Sequence, residues 1–326
     1  MSRHAFVTGG GGFIGSHLVE ALLSGGWEVT ALLRYNSRNH WGWLENHHAR
    51  PPARLHVVAG DVRDAAFVAQ AMAGADTVFH LAALIGVPYS FEAPASYFDT
   101  NLSGTLHLAE AARRAHVRRF VHTSTSEVYG TACRVPIDPG HPLRAQSPYA
   151  ASKIAADKLI ESFVHSYALP AVTVRPFNAY GPRQSDRAVI PTILTQALTT
   201  RRVRLGALKP RRDFTFVSDL VEAFIRAADA PHVVGEVVDV ASGQSVSIEA
   251  LVHLCFQVLG VEADIEPDPE RLRPHESEVE VLCGDPSRAA DLLGWRPRVP
   301  LRDGLAQTAA WLESAAASRH PHEYAR

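Results

Sequence analysis

Cysteine is scarce in this 326-residue chain: Cys133, Cys255 and Cys283 are far apart and odd in number. Such usage supports neither a disulfide framework nor a zinc site, and it fits a reducing compartment. An excess of one charge is also lacking. Thirty-two basic residues face 34 acidic ones for a net charge of −2, which excludes a broad polyanion-binding surface and argues against nucleic acid as a partner. No apolar stretch is long enough to span a bilayer, and the N-terminus passes directly into Ala5-Phe6-Val7 and glycines with no charged leader before an apolar block. The expected setting is the cytoplasm, with no membrane. The 17 histidines are scattered, and His47-His48 lies in a polar, proline-flanked stretch that reads as surface, so no metal is expected. What remains is an ordinary globular composition, 46% hydrophobic, enough for one large domain or two closely joined ones.

Strand-like apolar runs alternate with helical patterns through the first half, as in a parallel sheet covered by helices. Strands are expected at Ala5 to Thr8, Glu28 to Leu33, Leu55 to Val58, Thr77 to Leu81 and Arg119 to Ser124. Ile14, Leu18, Ala21 and Leu22 recur at helical spacing, and a helix from about Ser96 to Ala115 carries Leu102, Leu106, Ala109 and Ala112. A strand from Ala171 to Arg175 precedes the irregular run Pro176 to Pro182, after which short elements rich in arginine and proline take over. Phe214 to Val217 and Val237 to Val240 read as segments returning to the main sheet. The expected fold is α/β, a doubly wound parallel sheet of the Rossmann type with a smaller mixed α/β substrate-binding lobe. On this reading residues 1–175 plus about 213–240 bind a dinucleotide, and about 176–212 plus 241–326 form the substrate lobe.

Between the first strand and the first helix, Gly9, Gly12 and Gly15 stand in Gly-x-x-Gly-x-x-Gly spacing. Such a loop lets backbone approach a diphosphate, whose charge then faces the helix N-terminus. Gly9, Gly12, Phe13, Ile14 and Gly15 are therefore candidate cofactor contacts. Asp61-Val62 is placed to meet an adenine edge, although an aspartate there also serves as a helix cap. Leu81-Ala82-Ala83 offers small residues on which a dinucleotide can lie, a composition that packing alone also explains. One more absence matters: the second strand ends Arg34-Tyr35-Asn36-Ser37-Arg38, with no acidic residue for the ribose hydroxyls of NAD. Arg34 and Arg38, with Asn36 and Ser37 between them, suit a 2′-phosphate, so NADP is expected in preference to NAD.

Ligands of open parallel sheets bind outside the carboxyl ends of the strands, where the fifth strand delivers Thr125-Ser126-Glu127. Tyr149 and Lys153 are four residues apart, so on a helix they share a face at about 6 Å. A lysine ammonium there favours the phenolate and lowers the tyrosine pKa toward that of a usable base. Tyrosine, lysine and a hydroxyl donor suffice for alcohol oxidation. Glu127 is an additional base and points to chemistry beyond hydride movement. Thr125 and Ser126 also suit turn caps, and Glu127 a surface ion pair.

The Gly9/Gly12/Gly15 loop, His80-Leu81-Ala82-Ala83, Asn101-Leu102-x-Gly104-Thr105, the Thr125 run, Tyr149/Lys153, Arg175-Pro176-Phe177-Asn178 and Arg212-Asp213-Phe214 resemble the extended short-chain dehydrogenase/reductase superfamily of nucleotide-sugar epimerases and dehydratases. Thr-Ser-Glu is similar to the sugar-nucleotide 4,6-dehydratases, especially the GDP-mannose type. Tyr35-Asn36-Ser37, Trp41 to Leu44, Gln184 to Pro191 and Arg271 to Glu280 look like the 4,6-dehydratases of the legionaminic acid pathway, which act on a nucleotide-linked N-acetylglucosamine. The resemblance implies that Tyr149 takes the proton of the sugar O4, Thr125 bonds the same oxygen, Lys153 holds the cofactor ribose, and Glu127 abstracts the C5 proton. It adds Pro176 to the cofactor contacts, and Asn178, Val189, Arg212 and Arg273 to those of a nucleotide-diphosphate sugar, Arg273 for its diphosphate. It also implies a homodimer through the Asn101 to Ala115 and Tyr149 to Tyr167 helices. One departure is Ser126, where dTDP-glucose-type dehydratases carry an aspartate that protonates the leaving hydroxyl. Competing readings are a 4-epimerase, a UDP-glucuronate decarboxylase using Arg144, and a nucleotide-binding regulator without turnover.

Overall fold

The computed structural model describes residues 3–316; residues 1, 2 and 317–326, which the expected lobe boundaries include, lie outside the described residues. The chain runs β1 (His4–Thr8), α1 (Phe13–Ser24), β2 (Glu28–Arg34), β3 (Leu55–Gly60), α2 (Ala65–Ala71), β4 (Thr77–His80), α3 (Val87–Glu92), α4 (Pro94–Tyr97), α5 (Gly104–Arg114), β5 (Arg119–Thr123), α6 (Pro148–Tyr167) and β6 (Ala171–Pro176). There follow β7 (Asn178–Tyr180), α7 (Val189–Thr199), β8 (Arg202–Leu205), β9 (Arg211–Phe216), α8 (Val217–Asp229), β10 (Val237–Val240), β11 (Ser245–Ser247), α9 (Ile248–Leu259), β12 (Asp264–Pro267), α10 (Ser287–Leu293) and α11 (Leu301–Ala316). Seven strands form one sheet in the order β3-β2-β1-β4-β5-β6-β10, every pair parallel. This is the doubly wound α/β fold expected. The strand order reverses at β1 and β4, and the crevice at such a switch point is where ligands bind.

Successive strand residues feed opposite cores. Ala5, Val7, Phe79, Val121 and Val172 pack with Leu18 of α1 and Phe224 of α8, whereas Phe6, Val78, Phe120 and Ala171 pack with Val68 of α2, Leu108 of α5 and Ile160 of α6. Burial on both faces is why these strands are apolar throughout instead of alternating. Ser147 caps α6 by accepting from the Ala150 amide, and Pro148 is pre-set for the first turn, which places Tyr149 and Lys153 one turn apart, with Lys153 against the carboxyl end of β5.

Two sequence expectations are corrected. The helix expected from about Ser96 to Ala115 runs unbroken over 94–114, but it is not uniformly α: a π-helical stretch, Phe98–Ser103, lies between α4 and α5. Inside the widened turn, the Asn101 side chain accepts from the Leu84 amide (2.8 Å) and donates to the Leu84 carbonyl and to Ser152 Oγ (both 3.0 Å). Helical periodicity is too similar over so few residues to reveal the extra one. The second correction concerns Phe214 to Val217. Phe214 to Phe216 belong to β9, which pairs with β7 and β11 in a separate three-stranded sheet, Val217 opens α8, and only β10 joins the main sheet, beside β6. An apolar run tells that a strand is buried, not which neighbour satisfies its backbone.

Candidate active site

β5 ends at Thr123, and the chain enters a 3-10 turn, Ser126–Tyr129, capped by Thr125, whose hydroxyl accepts from the Glu127 amide (3.2 Å). The Thr125 side chain also lies beside the Tyr149 phenol and acts to lower its pKa. Lys153 Nζ donates to the Thr123 carbonyl (2.6 Å). Ser126, Tyr149 and Lys153 are buried, Thr125 and Glu127 half-buried. The lowered tyrosine pKa expected from the lysine spacing is not what the site holds. Burial raises the Tyr149 phenol well above its ordinary value, opposed by the Thr125 side chain and reinforced by the Glu127 charge. Lys153 is itself pushed down to about 8 by burial, against the pull of Asp157. Helical spacing brings two groups together but says nothing of how little water reaches them, and here desolvation wins.

The glycine loop is built for backbone contact. Gly9 has φ +71°, and a Cβ there would sit 3.0 Å from the Ala82 amide nitrogen; one on Gly15 would sit 2.1 Å from the Gly9 carbonyl. Gly12 caps α1 with no side chain, and no acid occupies the first turn, so the amides around Phe13 and Ile14 face a position suited to an anion. These features fit the diphosphate of a dinucleotide. Beneath the loop, Thr8 Oγ1 accepts from the Leu81 and Ala82 amides (both 3.1 Å) and bonds His80 Nδ1 (2.9 Å), while His80 Nε2 meets Thr105 Oγ1 (2.9 Å). The sequence strings contain these residues without disclosing this relay, which holds Leu81, Ala82 and the half-buried Ala83 against β1.

At the adenosine end, Asp61 accepts from Arg63 Nε (2.9 Å) and Nη2 (2.6 Å), Val62 is buried, and Asp64 caps α2 in place of Asp61. Arg34 closes β2 exposed, and its charge helps hold Asp61 below the ordinary carboxylate value, after the larger effect of the Arg63 hydrogen bond. Asn36 is committed to its own loop, donating to the Arg34 and His40 carbonyls and accepting from the Arg38 and His40 amides. Ser37 and Arg38 are exposed, and Pro176 is buried at the end of β6.

On the other side of Tyr149, Asn178 donates to the Asp213 carbonyl (3.1 Å) and Val189 opens α7. Arg212 is buried and pairs with Glu278 (3.3 Å). The sequence reading assigns Arg273 to a diphosphate; the structure seats its Nη1 on the Glu127 carboxylate at 3.3 Å. Glu127 is thus in an ion pair, though a partly buried one within the site and not a surface pair. Tyr97, absent from the predicted site, packs edge-on against Tyr149, with ring centroids 6.2 Å apart at 77°. Among the described residues, no group of three potential metal ligands gathers and no helix is long and apolar enough to cross a membrane.

The family model for GDP-mannose 4,6 dehydratase matches residues 6–308. The chain belongs to this family. It is 36% identical over 311 residues to a dTDP-glucose 4,6-dehydratase of Actinoplanes sp., covering 94% of this chain and 96% of that relative. It is also 36% identical over 309 residues to a UDP-glucose 4-epimerase of Mycolicibacterium smegmatis, covering 93% and 96% respectively. Among solved structures, a double mutant of the dTDP-glucose 4,6-dehydratase DesIV from Streptomyces venezuelae, with NAD bound, superposes with a TM-score of 0.87 at 30% identity over 96% of this chain and 98% of that one. The resemblance to the extended short-chain dehydrogenase/reductase superfamily therefore holds across nearly the whole chain.

Proposed function

We propose that the chain is a nucleotide-sugar 4,6-dehydratase that converts an NDP-hexose, of the N-acetylglucosamine type, into the NDP-4-keto-6-deoxy sugar. The observation that carries this reading is the convergence of Thr125 and Glu127, at the turn after β5, on the Tyr149 phenol of α6, each close enough to influence its ionisation. A nicotinamide ring bound beside them supplies reversible hydride acceptance. Tyr149, in the phenolate form that burial disfavours, takes the O4 proton as C4 becomes a ketone, Thr125 holds the same oxygen, and Lys153 orients the ribose. The ketone acidifies the C5 hydrogen, Glu127 removes it, and water leaves from C6 with a proton carried by Glu127 or by a water held at Ser126; the hydrogen taken from C4 would then return to C6 while Glu127 passes a solvent proton back to C5, leaving the 6-deoxy sugar and an unchanged cofactor. Asn178, Val189 and Arg212 line the sugar side, with Arg273 moving between Glu127 and the diphosphate. The exposed Phe98, Leu106 and Tyr167 support a homodimer through α5 and α6.

The decisive measurement follows the hydrogens. Deuterium at C4 is expected in the new C6 methyl group, turnover in heavy water is expected to label C5, and the product should be lighter by one water and bear a 4-ketone. The epimerase relative supports a second reading, 4-epimerisation. An epimerase returns the label to C4 without loss of mass, and a decarboxylase releases carbon dioxide from a uronate only. Label retained at C4 overturns the dehydratase reading.

For the cofactor, Arg34 at the end of β2 supports NADP, while the NAD held by DesIV supports NAD. If Arg34 binds a 2′-phosphate, Arg34→Ala should weaken NADP by about 1.5 to 3 kcal/mol, roughly 10- to 150-fold, and leave NAD nearly unchanged. Titration of the purified protein with each dinucleotide, followed by tryptophan fluorescence, reads this out. Equal loss for both cofactors, or none, removes the preference.

A further inference from the structure

Behind the Ser126–Tyr129 turn runs a chain of buried polar side chains that the reaction steps do not use. The Tyr129 hydroxyl donates to the Asp239 carboxylate, both of whose oxygens lie at 2.9 Å, and accepts from Arg175 Nη1 at 2.8 Å. Arg175 Nε and Nη2 donate to Asp157 Oδ2 (3.0 and 2.8 Å). The same oxygen accepts from Ser124 Oγ (2.8 Å), and His122 Nε2 meets Oδ1 (3.1 Å). Tyr129, Asp239, Arg175, Asp157, Ser124 and His122 are each no more than 5% exposed. Burying such charges contributes little net stability, but with only His122 Nδ1 left unpartnered among these six side chains, the linked bonds admit few alternative arrangements.

Its ends meet the reacting groups. Asp157 stands one turn beyond Lys153 and two beyond Tyr149 on α6, while Tyr129 is two residues from Glu127 in the turn. We propose that Tyr129 is a positioning residue: through Arg175 and Asp157 it ties the turn that carries Glu127 to the helix that carries Tyr149 and Lys153, setting the reach of the C5 base relative to the group that handles O4. The steps named rest on the dehydratase reading. The Tyr129 ring is stacked on Phe177, with centroids 6.4 Å apart at 29°, so Tyr129→Phe removes the hydroxyl bonds and keeps the packing.

In Tyr129→Phe, amide hydrogen exchange over residues 125–130 is expected to quicken about tenfold while residues 149–160 stay protected. With a nucleotide-sugar that the wild type dehydrates, turnover should fall by about ten- to a hundredfold, the cost of a base misplaced by a fraction of an ångström to an ångström. The deuterium isotope effect at C5 should grow and that at C4 shrink toward one, because elimination becomes limiting. Asp239→Asn keeps an acceptor oxygen for Tyr129 and is expected to retain the wild-type exchange and isotope pattern. Wild-type exchange over 125–130 in Tyr129→Phe, or a slower rate with both isotope effects unchanged, overturns the proposal. If the wild type leaves C5 unlabelled in heavy water, the dehydratase reading fails instead, and the exchange experiment still decides whether Tyr129 holds the turn.

Discussion

Glu127→Gln should lower dehydration by about 10²- to 10⁴-fold, the range for a lost general base, while oxidation at C4 remains measurable. The substitution is informative because it changes little else. Glutamine has the same length and keeps an oxygen that accepts from Arg273, which bonds the carboxylate at 3.3 Å. The turn cap is also retained, since it runs from the Glu127 backbone amide to Thr125. Thermal stability should therefore stay close to that of the wild type. Mass spectrometry of the product, together with solvent deuterium at C5, measures the step directly. Dehydration at the wild-type rate would mean that another group takes the C5 proton.

Tyr149→Phe is expected to stop the sequence one step earlier, with ketone formation reduced by a similar factor of about 10²- to 10⁴-fold. On the proposed roles the phenol is the group that takes the O4 proton, and its removal leaves O4 without that acceptor. The ring stays in its place between Val87, Tyr97 and the half-buried Leu84, so the fold should not suffer. The two variants differ in a way that a general loss of integrity cannot imitate. Glu127→Gln should still release deuterium from C4, whereas Tyr149→Phe should lose both C4 chemistry and C5 exchange, because C5 is acidified only by the C4 ketone. Full C5 exchange in Tyr149→Phe would detach the tyrosine from the oxidation.

Much of the site is legible along the chain because its parts are local. The glycine spacing before α1, the threonine-serine-glutamate run after β5 and the tyrosine-lysine pair on α6 each depend on bonds within a few residues. Gly15 illustrates the directness of the code: a Cβ there would meet the Gly9 carbonyl at 2.1 Å, so local backbone geometry alone demands glycine. What escaped the reading is long-range. Arg273 reaches Glu127 across 146 residues, and the Tyr129–Asp239 link spans 110. No periodicity records such pairs, since each residue taken alone resembles an ordinary polar position in a loop or strand.

The sequence by itself determined the alternation of strand and helix, the glycine loop before α1 and the candidate acid-base groups, since torsional preference, side-chain period and helical spacing act over short distances. Only the tertiary structure decided that β9 leaves the main sheet, that residues 98–103 widen into a π-helical turn, and that Arg273 lies on Glu127. It sets the direction of the pKa shifts in the site as well. Tyr149 and Lys153 answer chiefly to the exclusion of water by segments remote in sequence, and desolvation of that kind arises only when those segments pack together.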